Sequence, residues 1–265
     1  MSKFDYNRQS ITQASIEAGI QTGDTIYCHV SLGRLGRAQE GSALPVACET
    51  LLQALREVVG RSGTILIPTY TYSIGRGEVF DVEETPSTIG PFTEYFRTRP
   101  EAHRSKEPML AVSGIGPAAN DLFHNLPYTS YGKDSLYDRL VAVRAKICCL
   151  GLGIYYATFL HHIEQTMQVP FRFSKQFTGT IRSKGNEELV RWEYFAAPHL
   201  ENCKANAPRM QALLENRGIV SKVSVGRASL SSIRADVYLE EGKKAFAADP
   251  WFTAKGPPCV IDAFE

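Results

Sequence analysis

The chain has 265 residues, a formal net charge of +1, and apolar and charged fractions of 43% and 22%. This length suits one large α/β domain or a domain with an appended lobe, and the near-zero charge gives no nucleic-acid signal. No apolar run nears the ~20 residues needed to span a bilayer, and Met1 to Arg8 lacks the apolar stretch of a signal peptide, so a cytoplasmic location without membrane insertion is expected.

Taken in order, Ser10 to Ala18 reads as a short helix and Gly19 to Asp24 as a turn. Thr25 to Val30 is rich in β-branched and aromatic residues and reads as a strand, and the glycine-bearing stretch Ser31 to Gly36 as a loop. Leu44 to Val59 repeats apolar residues at helical spacing (Ala47, Leu51, Leu55, Val58), with Gly60 where a helix would stop. Gly63 to Thr69 is a second buried strand, so strand, helix and strand make a βαβ unit in a parallel sheet. Ligands of such sheets bind outside the carboxyl ends of the strands, where Ser31 to Gly36 and the segment after Pro68 both fall.

Tyr70 to Gly90 shows no period and reads as a working loop, either a pocket wall or a lid. Pro91 to Thr98 follows as a helix, Met109 to Ile115 as a strand, and Gly116-Pro117 and Asp134-Ser135 as two helix starts. Past Pro170, 177–182 and 188–195 alternate like an antiparallel pair, 206–216 suggests a helix, and 219–225 with 228–233 a second hairpin through Gly226-Arg227. The expected fold is therefore α/β: a central, largely parallel sheet flanked by helices (1–170), with a smaller mixed and antiparallel portion (171–265) packed on it as one domain. Cys28, Cys148 and Cys149 lie in expected strands and Cys48 on a helix, spaced for neither zinc nor a disulfide framework, so buried reduced thiols are expected.

The stretch Leu150 to Glu164 carries the chemistry. An apolar strand, Lys146 to Leu150, ends in a Gly151-Leu-Gly153 turn and leads into a helix that Thr158 can cap. At ~100° per residue, Phe159, Leu160, Ile163 and Met167 share an apolar face, His161 and Glu164 project together beside its edge, and His162 points away. An imidazole beside a carboxylate suits a general base held in one tautomer; the plain alternative is a surface pair. Other motifs fail on spacing. Gly151-x-Gly153-x-x-Tyr156 lacks the last glycine of a dinucleotide fingerprint, no Walker loop or Gly-x-Ser-x-Gly elbow occurs, and Gln165 stands where an inverted zincin helix needs His. No metal is expected.

Read in order, His29-Val-Ser-Leu-Gly-Arg-Leu-Gly36, Gly63-Thr-Ile-Leu-Ile-Pro-Thr69, Thr85-Pro-Ser-Thr-Ile-Gly90, Arg104-Ser-x-x-Pro108 and Thr158-Phe-Leu-His-His-Ile-Glu164 resemble the aminoglycoside 3-N-acetyltransferase family. The resemblance covers residues 20–170, and continues more loosely through Arg217-Gly-Ile-Val220, Val225-Gly-Arg-Ala228 and Asp249-Pro-Trp251. It implies an α/β fold distinct from the common GNAT acetyltransferases. It also implies acetyl transfer from acetyl-CoA to a primary amine of a sugar or aminocyclitol, without a metal. His161 resembles the family's catalytic histidine and Glu164 its carboxylate partner. Ser31, Leu32 and Gly33 resemble its CoA-contacting loop, and Thr69, Ser87 and Arg104 are further cofactor candidates by the same matching. Their alternatives are strand-end capping, a turn residue and a surface charge.

Departures from the family pattern bear on the acceptor. Aminoglycoside-modifying members typically carry His-Asp-Asn after the Gly-x-Gly turn, where this chain has Ile154, Tyr155 and Tyr156, and favour His where Glu107 stands. Aromatic rings in place of a carboxylate can stack on a sugar or a base. Phe80-Asp-Val82 through Pro86-Ser87 is similar to relatives tied to surface-polysaccharide synthesis, which adds Asp81 to Tyr155 and Tyr156 as acceptor contacts. The preferred expectation is an amino sugar, nucleotide-linked or free, as small-molecule partner. The alternatives are an aminoglycoside resistance enzyme, a non-catalytic CoA or sugar-nucleotide binding protein, and an O-acetyltransferase. A homo-oligomer is compatible with the sequence.

Overall fold

Residues 4–256 are described by a computed structural model. Helix α1 (Arg8–Glu17) starts at Asn7, whose side chain accepts from the Ser10 amide while Ser10 Oγ accepts from the Asn7 amide, so two otherwise unpaired donors are satisfied. Strand β1 (Thr25–Val30) runs into a one-turn helix α2 (Leu32–Leu35) where a loop is expected from sequence. Helix α3 (Leu44–Val59) and strand β2 (Thr64–Pro68) complete the βαβ unit, and β1 pairs in parallel with β2.

The aperiodic 70–90 segment holds a 3-10 turn (Ile74–Arg76) and a two-residue strand β3 (Phe80–Asp81). Tyr70, Thr71, Ser73, Ile74, Phe80 and Val82 are buried in it, so it is a packed wall, with the apolar contacts a mobile lid lacks. Next come α4 (Pro91–Arg97), β4 (His103–Arg104), β5 (Val112–Ile115), α5 (Ala119–Phe123) and α6 (Leu136–Ala142), the last capped by Ser135 Oγ accepting from the Asp138 amide. Strand β6 (Lys146–Leu150) and helix α7 (Phe159–Thr166) carry the candidate chemistry. A long hairpin of β7 (Phe173–Ser183) and β8 (Asn186–Ala196) precedes α8 (Pro208–Asn216), β9 (Ser221–Val225), β10 (Ala228–Arg234) and α9 (Ala235–Ala248).

The main sheet has the order β4-β5-β2-β1-β6-β10-β9. Its three central strands are parallel, whereas β5 beside β2 and β10 beside β6 are antiparallel. The hairpin of β9 and β10 thus joins the main sheet, while β3, β7 and β8 form a second one. Alternation along the central strands feeds two cores. Ile26, Cys28, Ile65, Ile67, Cys148 and Leu150 face the side of α1, α3 and α4, and Tyr27, Leu66, Ile147 and Cys149 face the side of α6, α7 and α9. Helix α9 packs on α7 at Gly242, where an added Cβ would lie 2.7 Å from Ile163; close helix contact offsets the ~1 kcal/mol that a mid-helix glycine costs. Cys28, Cys48, Cys148 and Cys149 are buried free thiols. Among the described residues no helix is long and apolar enough to cross a membrane.

Candidate active site

Strand β6 ends beside β1, and the turn after it is shaped by contact with the turn after β1. Gly151 has φ +75°, and a Cβ there would lie 2.5 Å from the Ser31 carbonyl oxygen, so only glycine lets the two loops meet. A 3-10 turn, Ile154–Tyr156, then delivers the chain to α7. The expected cap at Thr158 is not made. Its backbone is already helical (φ −58°, ψ −18°), whereas a capping hydroxyl needs extended backbone to reach the free amides. The hydroxyl instead meets Tyr70, and the Thr158 N–H donates to His29 Nε2 at 3.3 Å.

One turn along α7, His161 Nδ1 lies 2.7 Å from Glu164 Oε2, as the helical spacing predicts. Glu164 is buried, and its other oxygen accepts from Thr253 Oγ1 at 2.6 Å. Arg172, just before β7, closes the group: Nε is 2.6 Å from Glu164 Oε2 without an aligned N–H, and a terminal nitrogen is 2.9 Å from His161 Nδ1. Neither residue is suggested by sequence; each belongs to the chain beyond 170 and meets the dyad only through the fold. Burial pushes the Glu164 carboxyl up, but the charges of His161 and Arg172 and the Thr253 hydroxyl together outweigh it, and it is held below its ordinary value. His161 is held below its ordinary value by burial and then by Arg172, against the pull of Glu164. The carboxylate 2.7 Å from Nδ1 favours a proton there and a free Nε2 lone pair, while the Arg172 nitrogen 2.9 Å away, which can only donate, competes for the same Nδ1.

A cavity of about 230 Å³ opens at the carboxyl ends of β1 and β2, lined by His29, Pro68, Tyr70, Tyr72, Tyr156 and Thr158 among others, with Thr158 at the start of the helix that carries His161. Tyr72 holds the left-handed backbone (φ +55°), a strained conformation for an aromatic residue that marks functional walls. Beneath it, the hydroxyls of Tyr27, Tyr70 and Tyr137 form a closed triangle at 2.6, 3.1 and 3.2 Å, each able to donate once and accept once.

The remaining candidates divide. Ser31 and Leu32 stand at the start of α2, and Gly33 is exposed, with open space where a Cβ would be. The Tyr155 and Tyr156 rings pack at 4.4 Å, tilted by 33°, with Tyr156 on the cavity and Arg34 over its ring. Ser87 Oγ bonds Thr93 Oγ1, and Thr93 lines the cavity. Thr69, in contrast, is fully buried with its hydroxyl on Ala111 O and Ser113 Oγ, so that side chain is committed to the core. Arg104 is neither a surface charge nor free for a ligand at its terminal nitrogens: they donate to the carbonyls of Val82, Thr85 and Thr69. Burial pulls its guanidinium down to about 9. Asp81 accepts from the Glu83 and Glu84 amides and lies 3.7 Å from Arg182, away from the cavity lining. Glu107 is buried, accepts from Ser130 Oγ and from the Met109 and Leu110 amides, and is pushed up to about 8 by burial. Among the described residues no cluster of three His, Cys, Asp or Glu is placed to hold a metal.

A family profile described as aminoglycoside 3-N-acetyltransferase matches residues 28–247. Aminoglycoside N(3)-acetyltransferase III of Acinetobacter baumannii is 28% identical over 208 residues, covering 71% of this chain and 70% of its own. Aminoglycoside N(3)-acetyltransferase VII of Streptomyces paromomycinus is 30% identical over 172 residues, or 57% of this chain and 58% of its own. In fold, the chain is similar to AAC-VIa bound to sisomicin (TM-score 0.80, 23% identity, 92% and 98% covered). It is also similar to AAC-IIIb in a binary complex with CoASH (TM-score 0.78, 21% identity, 95% and 99% covered).

Proposed function

Since the chain belongs to the aminoglycoside 3-N-acetyltransferase family and is an acyltransferase that uses acetyl-CoA, we propose that it acetylates an amine of an aminoglycoside with His161 as general base. The observation that carries the reading is the buried Glu164 carboxylate 2.7 Å from His161 Nδ1, a contact that favours a proton on Nδ1 and a lone pair on Nε2, with the imidazole held below its ordinary value by burial and by Arg172. An acceptor amine arrives as ammonium. His161 Nε2 takes one proton, the freed lone pair forms the C–N bond, and the carbonyl π pair moves onto oxygen. Collapse re-forms the C=O and breaks the C–S bond; one proton reaches the departing thiolate and one reaches solvent. Ser31, Leu32, Gly33 and Ser87 are the proposed cofactor contacts, and Tyr155 and Tyr156 the acceptor contacts. Because Arg172 and Thr253 complete the dyad from beyond residue 170, we read 1–265 as one catalytic domain.

The names of the relatives favour the aminoglycoside over the amino sugar preferred from sequence. One observation favours the second reading: the cavity lining is aromatic, apolar and hydroxylic and has no carboxylate, whereas a polycation gains from one. Thiol release from acetyl-CoA with aminoglycosides, free amino sugars and nucleotide amino sugars decides between them. Turnover confined to the nucleotide amino sugars would overturn the first reading.

A further inference from the structure

His29 ends the buried part of β1, 7% exposed, on the cavity floor. Its ring makes T-shaped contacts, 5.2 Å to Tyr27 and 6.3 Å to Tyr70, and the hydroxyls of those two rings belong to the closed triangle. The ring's tautomer follows from one hydrogen bond. His29 Nε2 accepts the Thr158 backbone N–H at 3.3 Å, and a backbone amide can only donate, so Nε2 carries no proton and the neutral ring bears it on Nδ1. Burial pulls His29 down to about 3, with His161 adding to the effect, so the ring stays neutral wherever the enzyme works. Among the described residues, no protein group meets Nδ1 at hydrogen-bond distance, nor is it one of the atoms sealed from solvent. A neutral N–H donor without a protein partner thus stands on a residue that lines the cavity, bonded through Thr158 to the start of the helix that carries the base and close enough to His161 for the two rings to interact electrostatically.

We infer that His29 Nδ1–H donates to the thioester carbonyl oxygen of acetyl-CoA and stabilises the oxyanion that forms there, opposite the base His161. The inference rests on the acetyl-transfer reading and adds the group that reading lacks. When the C–N bond forms, a full negative charge develops on an oxygen that carried only partial charge, and a donor already in place gains strength in the transition state without reorganising. The hydrogen bond at Nε2 serves this purpose: were Thr158 N–H not there, the proton could move to Nε2 and leave Nδ1 as an acceptor, which would repel the oxyanion. His29 and His161 then divide the work. Glu164 favours His161 Nε2 as an acceptor, and Thr158 keeps His29 as a donor.

Histidine-selective nitrogen spectra of the wild-type protein test the assignment without any acceptor. His29 is expected as the Nδ1–H tautomer, its Nδ1 proton moving downfield when S-acetonyl-CoA, which keeps the carbonyl but cannot transfer it, is added. An Nε2–H tautomer, or a signal indifferent to that analogue while it binds, overturns the inference. In turnover, His29→Ala is expected to lower kcat about 100- to 1,000-fold with little change in KM for acetyl-CoA. His29→Asn, whose carboxamide N–H falls near the Nδ1 position, is expected to recover at least about tenfold of that loss, a rescue that a packing role would not give. Equal loss in both variants, or a near wild-type kcat in His29→Ala, also overturns it. If no amine is acetylated by the wild type, the acyl-transfer reading fails, while the spectra still judge His29.

Discussion

Replacing Arg172 by Gln removes the cation from the centre of the site. The Arg172 and Glu164 side chains are 9% and 3% exposed, so water screens neither. Breaking a buried pair strands the remaining charge at a cost of about 3–5 kcal/mol, and in a protein of this size each kcal/mol moves the unfolding midpoint by about 2–4 °C. A fall of roughly 6–20 °C is therefore expected. Catalysis should change in a way that a packing defect would not. Arg172 is the second influence holding the His161 imidazole below its ordinary value, after burial, while Glu164 pulls it up. Without Arg172 the carboxylate is opposed by burial alone, the imidazole binds its proton more readily, and the acidic limb of kcat/KM moves to higher pH. In the wild type the depressed Glu164 carboxyl contributes stability that is present above the ordinary carboxylate range and lost as pH falls through its folded value; the variant should lose that contribution sooner. Thermal unfolding across pH, paired with a pH–rate profile, measures both effects. An unmoved midpoint with an unmoved acidic limb would refute the reasoning.

In the wild type, kcat/KM should be sustained through neutrality and fall on acidification only below the ordinary histidine value of 6.5; a limb above that value would show that Arg172 does not govern the base. Thr253→Val leaves Glu164 Oε1 without its hydroxyl donor and should cost about 1.5–3 kcal/mol, as bonds to charged groups do, with a lower kcat; denaturant unfolding with wild-type stability would count against it. Gly151→Ala forces a side chain into a φ of +75° against the Ser31 carbonyl. It should cost about 1–3 kcal/mol and weaken CoA binding measured by calorimetry, and unaltered affinity would separate that turn from the cofactor site.

Local signals carried much of the fold. The bounds of β1, α3 and β6 follow from apolar runs and their glycine stops, and the 161/164 pairing from helical spacing alone. Helix α9 went unread although Tyr238, Gly242, Ala245 and Phe246 bury at helical spacing; its glycine and its mixed charges dilute the pattern. Arg172 and Thr253 are of another kind. Arg172 lies in no motif and Thr253 just past the loosely matching Asp249-Pro-Trp251, and neither shows its role in sequence because the partner of both is Glu164, reached only once β7 and the segment after α9 have packed. Thr69, Arg104 and Asp81 show the opposite case. Each sits in a motif that points to a ligand, while the Thr69 hydroxyl, the Arg104 terminal nitrogens and the Asp81 carboxylate are bonded to Ala111, to the 82–85 carbonyls and to the 83–84 amides. A motif fixes which residues stand together, and only packing decides whether a hydroxyl or guanidinium has a bond left to give. The Thr158 cap fails for a related reason: the cap rule assumes extended backbone, and the 3-10 turn ahead of it has already wound the chain.

The most direct test of the central claim is steady-state thiol release from acetyl-CoA, with aminoglycosides as acceptors, in the wild type and in His161→Ala. The account predicts turnover in the wild type and a loss of about 100- to 10,000-fold in the variant, the range a general base contributes, with CoA still bound. Undiminished turnover in His161→Ala would contradict it.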